Sequence, residues 1–482
     1  MSAQPPVPAD PEHAPVDPEA AGVAVSVTDA DADLRSFGYR PELRRSVSTV
    51  DLIVYGLIFM VPIAPWAIFG TVYNASEGMV PLVYVVGLVA MIFTALAYAQ
   101  MAKEFPLAGS VYAYVGRGLH KVLGFFAGWS ILLDYLLVPT LLYVFGAESM
   151  VGIFPGTERW MWAIVFVVIN TAVNLIGIRS LARFNRVFLA IELVFLAIFV
   201  VIAITALVRG TVDGAHFGIE QLYDSDKVTP SLIAGALSIA VLSFLGFDGI
   251  STLAEEATGG RRAAGTAMVT ALLIVAVLFV GQTWLAAALA AGTDSFDDAH
   301  VGNAFFDVVG SASNETWAKA FLAVNALAVG IANAIAAQAA TSRLLFSMSR
   351  DRQLPAFLHR INRRQIPQNA LLLVSGLTLV LVLFFVGRLG LISSLVNFGA
   401  LFGFCLLHVS VVSHYLIRKR SRNYLLHLVV PVIGFGIIGY VLTQADTNAK
   451  VGGVVWLAVG ALVFLFFLLT GRSRELTIGE GA

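Results

Sequence analysis

Three carboxylates sit where carboxylates are costly. Asp134, Glu192 and Asp248 each lie inside an apolar stretch of the chain. An ionisable group kept from water persists only where it is paired or put to use. Asp134 is followed by Tyr135, and a carboxylate beside an aromatic face suits an ammonium group. The competing role for Asp134 is a neutral acid hydrogen-bonded within a helix bundle. Asp248 stands between glycines in Ser243-Phe244-Leu245-Gly246-Phe247-Asp248-Gly249, where it either binds an amine or bridges interrupted helix ends. Glu192 is a candidate cation carrier, or else a partner of Arg183 or Arg186. At about 1.5 Å per helical residue, Asp134 lies roughly 20 Å beyond Lys121 and Glu192 roughly 9 Å beyond Arg186. Such different depths imply different tasks. A further pair of acids, Glu255 and Glu256, precedes Arg261 and Arg262, which suits ion pairing as a gate.

Membrane helices must position these groups. Of 482 residues, 58% are hydrophobic and 13% are charged, against about 25% charged in a soluble domain. Apolar runs near the roughly 20 residues needed to cross a bilayer recur along the chain. They predict an all-α membrane protein of twelve transmembrane helices, at about 49–72, 80–102, 122–148, 160–178, 186–208, 230–255, 264–291, 319–349, 369–387, 390–416, 425–444 and 451–471. Residues 1–44 begin with acids and no base before Arg35, and read as a disordered tail rather than a cleaved signal. Of the 30 Lys and Arg, 23 fall on one set of alternate loops and tails, six on the other, and Arg343 lies inside a span. That asymmetry predicts both termini in the cytoplasm. The opposite loop at about 292–318 is acidic (Asp294, Asp297, Asp298, Asp307, Glu315) and reads as solvated.

Two spans break the helical rules in matching ways. The first carries Gly56, Pro62 and Pro65 around Met60-Val61-Pro62-Ile63-Ala64, and the sixth carries Gly246 and Gly249 around Asp248. Each proline removes a donor and clashes with the preceding turn, so an intact helix there loses several kcal/mol. If spans one to five (45–225) and six to ten (226–416) are repeats, five being odd inverts the second. Two peripheral helices (417–471) and a tail (472–482) follow. Paired interruptions in inverted repeats point to a midplane solute site, here Met60–Ala64 with Phe244, Gly246, Phe247, Asp248 and Gly249.

Several motifs carry a resemblance. They are Phe105-Pro106-Leu107-Ala108-Gly109-Ser110 before a Tyr-rich stretch, Gly128-Trp129, Leu133-Asp134-Tyr135-Leu136 with Pro139, and Phe244–Asp248 with Glu255-Glu256. Further on come Ser342-Arg343-Leu344-Leu345, Arg350-Asp351, Leu354-Pro355 and Val396-Asn397-Phe398-Gly399-Ala400. In this order the chain resembles the amino acid, polyamine and organocation transporters, and among them the bacterial putrescine importers. The resemblance implies a leucine-transporter fold, with a five-plus-five inverted repeat, two peripheral helices and alternating access. It also implies a solute site that includes Asn397, and a bacterial inner-membrane location. Two positions depart from the pattern. Thr258-Gly259-Gly260-Arg261-Arg262 replaces the prolines usual after the paired acids, and Pro65-Trp66-Ala67-Ile68 has no acid where putrescine importers carry one. The second departure opens the solute range to a monoamine or a zwitterionic amino acid.

In the resembled fold the fifth, first and eighth helices meet at a cation site, which implies Glu192 with Gly56, Gln338, Thr341 and Ser342 as the coupling cluster. H⁺ is the expected coupling ion and Na⁺ the alternative; exchange of an amine for its product stays open. No Walker loop, zinc-ligand pair or serine-nucleophile turn occurs, so no catalysis and no cofactor is expected. His408 and His414 suit interfacial packing better than metal. No nucleic-acid footprint appears. The expected partners are a small amine-bearing solute and membrane lipid, the lipid met by the basic run from Arg350 to Arg364. A channel or nutrient sensor on the same fold is the competing class.

Overall fold

The computed structural model describes residues 46–469 except 108, 177, 298–299 and 387, with the side chains at 178–185, 390 and 467 also outside the description. The expected tails, Asp298, and any pairing of Glu192 with Arg183 lie outside the described residues. Among those described, the chain is helical, with one isolated parallel bridge between Val47 and Ala257.

The first span begins with a reciprocal cap. The Ser48 hydroxyl accepts from the Asp51 N–H at 3.2 Å, while Asp51 accepts from the Ser48 N–H at 3.3 Å. Helix α1 (Thr49–Met60) then stops, and α2 (Pro65–Ala75) resumes at 53° to it. Pro65 opens α2, where its missing N–H is surplus. Val61 turns the corner at φ 54°, a conformation costly for a β-branched residue.

Next come α3 (Val80–Glu104), a short α4 (Ser110–Gly118) that buries Tyr112 and Tyr114, and α5 (Lys121–Ile153). The last runs past its expected end at 148 and contains Pro139. Helices α6 (Arg159–Ile176) and α7 (Ile178–Arg209) follow. On α7 the stripe Leu189, Glu192, Leu196, Phe199, Ala203 and Ala206 is buried while Val187, Val194, Val201 and Val208 are exposed, so Glu192 is on the face turned to the bundle.

The sixth span is α8 (Pro230–Phe244) followed, after a break, by a tight 3₁₀ segment, Asp248–Glu256. Gly246 sits at φ +115°, and a Cβ there would come within 3.0 Å of the Phe59 backbone; a Cβ on Gly249 would strike the Phe59 ring at 2.1 Å. Only glycines let the two broken spans touch. Helix α9 (Ala263–Leu289), a short α10 (Ala304–Ala312) and α11 (Glu315–Leu327) lead into a π-helical turn, Ala328–Asn333, and α12 (Ala334–Arg350). Helices α13 (Gln368–Phe385), α14 (Leu389–Val411), α15 (Val430–Gln444) and α16 (Thr447–Leu469) complete the described residues. Among the described residues eleven helices are long and apolar enough to cross a membrane, and the bent α1–α2 pair, taken as one span, makes twelve. The protein is a multi-pass membrane protein.

Candidate functional site

The two breaks enclose a cavity of about 60 Å³, where one water needs about 10–15 Å³. Its lining includes Met60, Val61 and Ala64 from the first break, Gly246 and Asp248 from the second, Asp134 and Tyr135 from α5, and Asn333 and Thr341 from the eighth span. Val138, Leu141, Leu142 and Phe145 add an apolar wall. Asp134 and Asp248 are 3% and 1% exposed. They differ in how far their oxygens are used. Asp248 accepts from the Tyr135 hydroxyl at 2.8 Å and from the Gly246 N–H at 3.3 Å. Asp134 leaves Oδ1 buried without a hydrogen-bond partner. Gly399 of α14 fixes its backbone, since a Cβ there would come within 2.9 Å of the Asp134 nitrogen, and the Ser130 hydroxyl donates to the Gly399 carbonyl at 2.7 Å.

The first break spends part of its polar backbone internally. The Ala64 N–H donates to Val61 at 2.8 Å and Trp66 to Ile63 at 3.0 Å, while the Pro62 carbonyl accepts from the Gln282 amide at 2.8 Å. Of the residues expected around the breaks, Met60, Val61, Ala64, Gly246 and Asp248 line the cavity. Pro62, Ile63, Phe244, Phe247 and Gly249 shape the breaks without lining it. Phe244 packs at an angle on Tyr84 and edge-on to Phe279, and Phe247 edge-on to Tyr98 and at an angle on Phe404. Asn397 donates to the Ser238 carbonyl at 2.8 Å, tying α14 to α8, and is not in the lining.

Opposite ends of the cavity region close by different chemistry. At one end Arg350 grips Glu255 with two nitrogens, at 2.7 and 3.0 Å, and the Arg343 Nε donates to Glu256 at 2.5 Å. Both paired acids thus meet arginines of α12, Arg350 and Arg343, beyond the Arg261 and Arg262 expected from sequence; Arg261 and Arg262 are exposed. Tyr112 donates to Asp351 at 2.9 Å beside them. The Ser46 and Val47 N–H groups both donate to the Glu256 carbonyl at 3.1 Å, and Thr258 donates back to Val47 at 2.9 Å. At the other end Trp66 stacks on Phe305 at 4.8 Å and meets Phe321 at 5.1 Å, with Phe69, Phe199 and Phe296 around them. Asn74 holds Phe296 by both amide edges, at 2.7 and 2.9 Å.

Glu192 is 1% exposed and neither carboxylate oxygen has a hydrogen-bond partner. Arg186, one expected partner, pairs with Asp51 at 3.6 Å. The expected coupling cluster is not joined by hydrogen bonds. Gln338 bonds Asn174, Thr171 and Ser375 at 2.8–3.2 Å, Thr341 donates to the Tyr135 carbonyl at 2.5 Å, and Ser342 donates to Ala339 at 2.7 Å. Gly56 faces Ile250 and Ala271. Sequence reasoning missed Asn333, Gln282, Arg343 and Arg350; a polar residue within an apolar run was the available signal for the first three, while Arg350 opens the charged run Arg350-Asp351-Arg352. Among the described residues no group of three His, Cys, Asp or Glu could hold a metal, and His408 contacts Thr94 at 3.2 Å.

Residues 46–478 match the family model described as amino acid permease. The low-affinity putrescine importer PlaP of Escherichia coli K12 is 30% identical over 434 residues, covering 88% of this chain and 94% of the relative. The methylthioribose transporter of Bacillus subtilis is 23% identical over 88% of this chain and 94% of its own length, and the branched-chain amino acid permease BcaP of the same species is 23% identical over 88% and 93%. The chain therefore belongs to the amino acid permease family, among the amino acid, polyamine and organocation transporters, with an all-helical architecture of the leucine-transporter kind.

Proposed function

We propose that this permease imports an amine-bearing solute, an amino acid or a polyamine such as putrescine, by proton-coupled alternating access across a bacterial inner membrane, with both termini cytoplasmic. The observation that carries the reading is the bare Oδ1 of Asp134 in a cavity that also presents Asp248. A buried acceptor with no internal partner costs about 1–3 kcal/mol, more when charged, and an ammonium group offsets that cost. Internal use of the Ala64 and Trp66 donors favours a cationic over a carboxylate-bearing end at the first break.

Uptake of labelled putrescine and of an amino-acid panel into proteoliposomes tests this. Asp134→Asn is expected to weaken a cationic solute by about 2–5 kcal/mol, roughly thirtyfold or more. Unchanged affinity assigns Asp134 to packing. Counterflow separates a carrier from a channel, which shows no acceleration by solute on the far side.

Glu192 is the proposed proton carrier, because a bare carboxylate on the bundle face of α7 is costly to keep ionised and changes state when the surroundings do. Glu192→Gln is expected to retain exchange of labelled for unlabelled solute and to lose accumulation driven by a pH gradient. A shifted Na⁺ dependence with intact pH response points to sodium instead. Concentrative uptake by the Gln variant under a pH gradient alone removes Glu192 from the proton path.

A further inference from the structure

The eighth span carries a polar residue that the reading above does not use. Asn333 lines the cavity, is 6% exposed, and its Oδ1 is buried without a hydrogen-bond partner. It closes the π-helical turn Ala328–Asn333 that interrupts an otherwise regular 36-residue span. Such turns are unusual and concentrate at functional sites.

Specific contacts build this turn. Asn170 of α6 donates its amide to the Gly330 carbonyl at 2.9 Å. A Cβ on Gly330 would meet the Phe166 ring at 3.0 Å, and one on Gly146 of α5 would come within 2.9 Å of the Gly330 Cα. Gly146 therefore lets α5, and Gly330 lets Phe166 of α6, lie directly against the widened turn. The consequence is a change of register. Val329, Asn333, Ala337 and Thr341 all line the cavity, at steps of four. A regular α-helix drifts about 40° with each such step, and the widened turn holds back that drift, keeping Val329 and Asn333 aligned with Ala337 and Thr341.

We propose that Asn333 is a specificity residue whose amide accepts an N–H from a second polar group of the solute, while Asp134 takes the ammonium. The inference rests on the amine-transport reading and deepens it: the preferred solute bears two nitrogen donors rather than one donor and an alkyl end. Two bare acceptors, a carboxylate oxygen and a neutral amide oxygen, line a single cavity whose apolar wall is Val138, Leu141, Leu142 and Phe145. A solute with one ammonium and an apolar tail fills the wall but leaves the Asn333 oxygen unsatisfied, and sites built to receive a hydrogen-bond donor reject analogues that lack it.

The experiment is competition of putrescine and n-butylamine, which share a four-carbon chain, for binding to the purified full chain in liposomes. In the parent protein putrescine is expected to compete at least about tenfold more strongly than butylamine. Asn333→Leu is expected to abolish most of that ratio while butylamine binding persists, a split that a merely structural role does not produce. Asn333→Asp, which keeps shape and acceptor and adds charge, is expected to widen the ratio, and it carries the test if the Leu variant does not fold. An unchanged ratio in the variants overturns this inference alone. Failure of the parent protein to bind either amine overturns this inference and the polyamine half of the transport reading, whose amino-acid half the uptake panel decides separately.

Discussion

The end of the bundle that carries Arg343 and Arg350 and the end that carries Trp66 and Phe305 close the same cavity region with opposite chemistry. The first uses four charged groups in directional pairs, with the Glu255 side chain 1% exposed and that of Glu256 6%. The second uses rings with few directional demands. Buried pairs are all-or-none: removing one partner strands the other charge in a medium that cannot solvate it. Ring clusters degrade gradually, since offset and tilted contacts of similar worth replace one another. One end is therefore a latch with a defined mate, and the other a plug that tolerates wear.

The largest effect is expected at the latch. Glu256→Gln or Arg343→Met should destabilise the closed protein by about 3–5 kcal/mol, while Glu256→Leu combined with Arg343→Met should recover most of that. Thermal unfolding of the single and double variants checks it, and additive losses break the comparison. A conservative change at the plug should matter much less. Trp66→Phe removes an indole N–H that is buried without a partner, and keeps a ring against Phe305 and Phe321. The same melts should show a cost under about 1.5 kcal/mol; a loss equal to that of Glu256→Gln would erase the distinction.

The smallest effect concerns pH in the loop beside the plug. The His300 Nδ1–H donates to the Asp297 carboxylate at 2.7 Å, and that hydrogen bond, with the attraction of the carboxylate, raises its pKa above the ordinary 6.5. A raised folded-state pKa means that the stabilisation is fully present below about 6.5, the unfolded value, and is lost as pH rises through the folded one. Hydrogen exchange of the loop around Phe296 and Asn303 should therefore quicken modestly from acidic to alkaline pH, beyond its intrinsic base catalysis, and His300→Ala should remove the excess. An identical pH response in the variant would leave the loop without this switch.

Much of the architecture was legible because its signals are local. Prolines at 62 and 65 and glycines at 246 and 249 announce the breaks where they occur, and two of the acids in apolar runs, Asp134 and Asp248, line the cavity. Relations between distant segments were not legible. Glu255 and Glu256 have Arg261 and Arg262 close by in sequence, yet they pair with Arg350 and Arg343, 95 and 87 residues away on α12. Gln338 and Thr341 share a helix, but the first faces α6 and α13 and the second faces Tyr135; which face of a buried helix meets which neighbour depends on packing that an all-apolar run does not encode. The turn that places Asn333 depends on Asn170, 160 residues before Gly330, and leaves no local mark in an alanine-rich sequence.

The short strap at Ser46 and Val47 fastens the beginning of the first broken span to the Glu256 carbonyl at the end of the second, and the Phe59 contacts with Gly246 and Gly249 fasten them again at the break. Two attachment points fix the relative rotation of two rods as well as their separation. The half-helix α1 and the 3₁₀ segment are therefore one lever with a single axis rather than two independent arms. Glu255 and Glu256 both sit on that lever, so a displacement of either half would load the ion pairs to Arg350 and Arg343 together.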